Sequence, residues 1–168
     1  LALLLIPQFF TMSISTSLIP ELSKNYSENN ISKCKSRILQ ITGLSLAIGA
    51  FSTGIIFVIP EYLLNIIYKT TAAKKGGSGS NLGVNYIKVL APFFLLYFIN
   101  TPLANALQAL DMSKEEMNIT LITSILKLVL LVILSLFKIG LYSLILSIII
   151  TLIISTYLHI KKVKTKLS

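Results

Sequence analysis

Apolar residues fall into five long runs parted by short polar stretches. The first spans about Leu1 to Leu22, apolar in LALLLIPQFF and hydroxyl-rich in TMSISTSLIPEL. Gln8, Thr11 and Ser15 recur there at helical spacing and share one face. The second run, about Ser36 to Ile59, stops at Pro60. Its Gly43, Ala47, Ala50 and Gly54 form a stripe of small residues, the pattern that lets two membrane helices approach closely. The third, fourth and fifth runs cover about Ala91 to Leu110, Met117 to Phe137 and Ile139 to Ile160. A helix of about 20 apolar residues crosses a bilayer core. The pattern predicts an all-α, polytopic transmembrane bundle of five spans in a single domain.

The third run departs from plain lipid-facing composition. APFFLLYFINTPLANALQAL carries Pro92 and Pro102 and several amides. Pro102 removes a backbone hydrogen bond well inside the span, which predicts a kink. Tyr97, Thr101, Asn105 and Gln108 share a face, with Asn100 beside them. Such a face suits a protein interior or a wet cavity. The fifth run repeats a hydroxyl every four residues at Ser143, Ser147, Thr151 and Ser155, which reads as helix packing.

The connectors add further expectations. Ser23 to Arg37 is polar, and Asn30 and Ser32 are candidate N-caps for the second helix. Ser113 with Glu116 fits a capping box for the fourth. Pro60 to Asn85 is a connector whose middle, AAKKGGSGSN, has flexible-linker composition. Residues 72–82 therefore read as an inserted linker and are left out of functional reasoning. Leu1 starts within an apolar run, so the chain reads as a piece of a longer protein.

Charge changes the picture in one respect. Fifteen Lys/Arg face six Asp/Glu, a net +9, yet only 12% of residues are charged and 54% are hydrophobic. The mean hydropathy is +0.82. The basic residues flank apolar spans and form no basic face with interleaved aromatics, which sets nucleic acid aside. Lys24, Lys33, Lys35 and Arg37, then Lys114, then Lys161, Lys162, Lys164 and Lys166 fall on one side of a five-span topology. The positive-inside rule makes that side cytoplasmic, so loop 23–35 and the C-terminal tail are expected inside. Cys34 then reads as a cytoplasmic thiol, and as the only cysteine it has no intrachain disulfide partner.

Candidate chemistry is sparse. No paired carboxylates, Cys/His arrangement, phosphate-cradling loop or metal cluster stands out, so no enzyme activity, metal or cofactor is expected. His159 reads as an interfacial residue. Lys127 is the sharpest residue, near the middle of the fourth span, where a charge costs about 2.5–3.5 kcal/mol. Thr120, Thr123 and Ser124 lie on its face. Three readings stay open: Lys127 pairs with an acid elsewhere in the protein, it is a neutral or hydrated structural lysine, or it meets an anionic headgroup in a cavity. Gln8, Thr11, Asn100, Thr101, Asn105, Gln108, Thr123 and Lys127 are the candidate cavity-lining residues.

Three segments then match a family. IPQFFTMSISTSLIPELSKNYSENN resembles the helix and basic loop of polysaccharide-exporter-type flippases. GVNYIKVLAPFFLLYFINTPLANALQALDMS resembles their later LAP, Pro and LQA segment, and ILKLVLLVILSLFKIGLYSLILS a following helix pair. The stage V sporulation protein B-like subgroup is the nearest in pattern, within the superfamily that also holds multidrug extruders and the lipid II flippase. The resemblance covers nearly the whole chain outside about Ala72 to Leu82. It implies a two-lobe transporter of the bacterial cytoplasmic membrane, moving a lipid-linked oligosaccharide for polysaccharide or cell-wall synthesis by alternating access. This chain would be most of the second lobe, with the N-terminal lobe of the same protein and the lipid-linked sugar as partners. The rival readings are a cation-coupled drug antiporter of the same fold and a membrane scaffold that does not transport.

Overall fold

A computed structural model describes residues 2–58, 78–137, 139–140 and 142–167, with side-chain burial described for 8–55, 57–58 and, from Lys88 on, for all of these. All regular structure among them is helical: α1 Ala2–Ser27, α2 Ile31–Val58, α3 Ser78–Ala109, α4 Ser113–Leu136 and α5 Tyr142–Leu167. Four of these helices, α2 to α5, contain stretches long and apolar enough to cross a membrane. The fifth expected span corresponds to α1, whose first side chains lie outside the described set.

The helices are longer than the apolar runs, because polar residues extend a helix freely once its body is anchored, at one new hydrogen bond per residue. The polar stretch Ser23 to Arg37 is therefore mostly helical, leaving a turn at Glu28 to Asn30. Asn29 sits there at φ 57°, the left-handed region that asparagine tolerates. Asn30 caps α2: its Oδ1 accepts from the Lys33 amide at 3.3 Å. The capping box at Ser113 does not form. Met112 occupies the N-cap position without a side-chain bond, while Glu116 accepts from Thr120 Oγ1 at 3.0 Å and Glu115 pairs with Lys162 Nζ at 2.7 Å. Partners outside the first turn outcompete the local cap. Of the presumed linker, 72–77 lie outside the described residues and Ser78 to Leu82 begin α3. The basic tail is likewise helical to Leu167.

α3 is the hub. It packs against α1, α2 and α5 and lightly against α4, while α1 also packs on α2 and α4 on α5. It runs unbroken through Pro92 and Pro102. Two apolar clusters lie along it. One joins Leu18 and Leu22 to Cys34, Ile38, Leu103, Leu107, Leu110 and Val163. The other joins Leu90, Phe94 and Phe98 to Ile145, Ile148, Ile149 and Leu152.

Four contacts fix the directions of the helices. Arg37 Nε meets Glu21 at 2.7 Å, and the Lys162–Glu115 pair joins α5 to α4. Lys166 Nζ lies 5.3 Å from the centre of the Tyr26 ring. Ser23 Oγ donates to the Ala109 carbonyl at 3.0 Å. The ends of α1, α3 and α5 and the starts of α2 and α4 therefore gather at one end of the bundle. The three basic clusters lie together, as the alternation of spans predicts.

The small-residue stripe of α2 is not its packing face here. Gly43, Ala47, Ala50 and Gly54 are exposed, and the buried side is Cys34, Ile38, Ser45, Gly49 and Thr53. The close approach is at Gly49, where an added Cβ would lie 2.6 Å from Phe98 Cγ and 2.9 Å from Phe98 Cβ. Those atoms sit at the root of the ring and cannot swing aside. Gly49→Ala should lower stability by up to about 2 kcal/mol, an overpacking cost of about 1–3 kcal/mol less about 1 kcal/mol of helix propensity. A thermal melt in detergent measures it, and Phe98→Leu in the same chain should restore part of the loss.

Cys34 packs inside the bundle. It is fully buried, its Sγ 3.9 Å from the Leu22 carbonyl oxygen. It is therefore shielded from reagent on whichever side it lies. In folded protein a water-soluble maleimide should label Cys34 at least about tenfold more slowly than a cysteine placed at exposed Lys33 in a Cys34→Ala background, since reaction at the buried site needs local opening. Equal rates would contradict this packing.

Candidate functional site

Between the two apolar clusters, α3 and α5 meet through a polar layer. Asn100 lies between Phe98 and Leu103 on α3; Ser155 and His159 lie between Leu152 and Val163 on α5. Asn100 Nδ2 donates to Ser155 Oγ at 3.0 Å. His159 Nδ1 lies 2.8 Å from the Ser155 carbonyl, which can only accept, so the ring proton sits on Nδ1. Ser155 Oγ is a longer 3.4 Å from the same nitrogen. His159 is 1% exposed. It faces the interior of the bundle. Asn100 Oδ1 and His159 Nε2 are buried without a partner among the described residues.

The layer extends the hydroxyl repeat of α5. Ser143 donates to the Gly140 carbonyl at 2.7 Å, Ser147 to Leu144 at 2.8 Å and Thr151 to Ser147 at 2.7 Å. These hydroxyls fold back on their own turns, so the face stays thin and dry where α5 packs. One more step of four residues from Ser155 reaches His159. That spacing was present in the sequence and was the signal that could have placed the histidine inside.

The eight candidate residues lie on α1, α3 and α4 and differ in exposure. Thr11 is fully buried, with Oγ1 unpartnered among the described residues, and Gln8 is half-buried on the same face of α1. Asn100 is engaged with α5. Thr101 Oγ1 donates to the Tyr97 carbonyl at 3.2 Å, within its own helix. Asn105 is half-buried, with Nδ2 unpartnered among the described residues, and Gln108 is exposed near the basic end. Thr123 is buried and donates to the Ile119 carbonyl at 2.8 Å. Lys127 is exposed, as are Thr120 and Ser124.

The seam of α4 explains that last placement. Ile119 and Thr123 are buried and Leu126 and Leu130 half-buried, so these four face the bundle. Thr120, Ser124 and Lys127 each follow a seam residue by one position, about 100° further round the helix. The sequence placed Thr123 and Lys127 on one face. The two lie about 40° apart round the helix, Thr123 buried in the seam and Lys127 exposed at its margin.

Among the described residues, no group of three or more His, Cys, Asp or Glu could hold a metal ion. What the arrangement offers is hydrogen bonding, one buried imidazole and one uncovered cation. Interhelical hydrogen bonds in membranes are worth about 0.6 kcal/mol on average and up to about 1.7. A double-mutant cycle of Asn100→Ala and Ser155→Ala, read by thermal unfolding, should give a coupling of about 0.5–1.5 kcal/mol. A coupling near zero would mean that the pair adds nothing.

Comparison with known proteins places this geometry. Residues 2–133 match the MatE family. Stage V sporulation protein B of Bacillus subtilis (strain 168) is 35% identical over 127 residues, which is 76% of this chain and 23% of that protein. The chain thus matches less than a quarter of that relative's length. No solved structure matches the chain. A match over most of its residues, together with four helices long and apolar enough to cross a bilayer, makes this chain a multi-pass membrane protein of the MatE family.

Proposed function

We propose that the chain forms part of a flippase lobe that moves a lipid-linked oligosaccharide across the membrane by alternating access. The observation that supports this reading is the position of Lys127. It lies near the middle of α4, with apolar residues before and after it, and no other described helix covers it. A lysine there is costly against hydrocarbon, at about 2.5–3.5 kcal/mol. The face with Thr120, Ser124 and Lys127 therefore suits a wet cavity more than lipid. A cavity with a fixed cation attracts a lipid diphosphate or an acidic sugar and repels a cationic drug.

The polar layer has a supporting part in this reading. Asn100, Ser155 and His159 tie α5 to α3, and α4 packs mainly on α5. The layer thus sets where α4 holds its cation, and Asn100 acts as a positioning residue. A drug antiporter needs an acid deep in a span, and among the described residues Glu115 and Glu116 lie only in the first turn of α4.

In the intact protein, Lys127→Ala should abolish complementation of the transport phenotype at normal protein level. Lys127→Arg should keep most of it, since the charge persists. Full complementation by Lys127→Ala would remove Lys127 from transport.

A further inference from the structure

α2 and α5 both pack on α3 but are not a packed pair with each other. They therefore leave a groove with α3 as its floor. Its volume is about 600 Å³, within the usual range for ligand pockets of about 300–1,000 Å³. The floor is Ile99 and Leu103. Ile38, Leu39 and Thr42 form one wall and Ile160, Val163 and Leu167 the other. Lys35 and Lys164 stand on the two walls at the basic end of the bundle. From Lys35 to Thr42 the groove runs about 10 Å along the helix axis.

Several basic neighbours are engaged elsewhere. Arg37 is paired with Glu21, Lys162 with Glu115, and Lys166 lies over Tyr26. Lys35 and Lys164 have no ion-pair partner among the described residues, and no acid lines the groove. The groove is thus apolar along its length and cationic at one end. That is the chemistry of an anionic diacyl phospholipid, with an acyl chain along Leu39, Leu103 and Ile160 and the phosphate between the lysines. Basic pockets between membrane helices hold such headgroups elsewhere.

We propose that the α2–α3–α5 groove is a binding site for an anionic phospholipid of the bilayer, gripped at its phosphate by Lys35 and Lys164. The site is separate from the face that carries Lys127, so the inference does not rest on the transport reading. A lipid there bridges α2 and α5, which do not pack directly, and ties the basic ends of the lobe together.

The test uses the intact protein in detergent, with dioleoyl phosphatidylglycerol and dioleoyl phosphatidylcholine as probes. Native mass spectrometry reads bound lipid. The expected result is phosphatidylglycerol binding at least about tenfold tighter than phosphatidylcholine. Lys35→Gln with Lys164→Gln should erase that preference, by about thirtyfold if each lysine contributes as juxtamembrane cations commonly do. Lys33→Gln with Lys161→Gln removes the same charge from exposed positions that do not line the groove, and should keep the preference. Circular dichroism verifies that both double variants are folded. sn-Glycerol 3-phosphate, the headgroup without chains, should not compete.

Four outcomes would overturn the proposal. Equal binding of the two lipids removes the charge argument. Equal loss in the control variant makes the effect one of general surface charge. Competition by glycerol phosphate makes the site one for free phosphate. An unchanged preference in Lys35→Gln/Lys164→Gln puts the lipid elsewhere, as it would be if another helix of the intact protein filled the groove.

Discussion

A proline inside a membrane span takes away a backbone donor that lipid cannot replace. Pro102 imposes this on α3, the helix at the centre of the bundle. The helix that lacks this hydrogen bond is the one that α1, α2 and α5 surround. Pro102 itself is fully buried. Gly49 lets α2 come close enough to seat Phe98, one turn before the proline. α5 turns its thin hydroxyl face inward and meets Asn100 two residues before it.

That arrangement divides the molecule by depth. Two apolar clusters bracket a polar layer along α3 and α5. At one end the ion pairs Arg37–Glu21 and Lys162–Glu115 hold the helix termini in register. Each is about half exposed, so each contributes little to stability, and what they supply is alignment. The uncovered face of α4, with Lys127, lies outside both clusters. The chain belongs to the MatE family and matches less than a quarter of a longer relative.

Local signals misled where several side chains could compete for one backbone site. Ser113 and Glu116 have capping-box spacing, but Glu116 accepts from Thr120 one turn further on. The stripe Gly43, Ala47, Ala50 and Gly54 has the spacing of a packing face, yet the helix buries the side that carries Gly49. A stripe states that approach is possible along it, not which neighbour stands there. Buried Ser45, Gly49 and Thr53 were equally small and equally spaced, and they faced the helix that carries Phe98.

The sequence by itself determined the class of the protein. Apolar runs of membrane length admit only helices, the basic clusters alternate with the spans, and the segments around Pro20, Pro102 and Gln108 carry the family pattern. These are properties of consecutive residues, and spacing along one chain reveals them. The tertiary structure alone decided which helix lies at the centre, that His159 is interior, and that Cys34 is closed to reagents. It buried Thr123 and left Lys127 exposed on α4, and it opened a groove between Lys35 and Lys164. Each of those facts depends on the rotation of a helix about its own axis. Rotation is set by the neighbour it packs against, and no single helix contains that information.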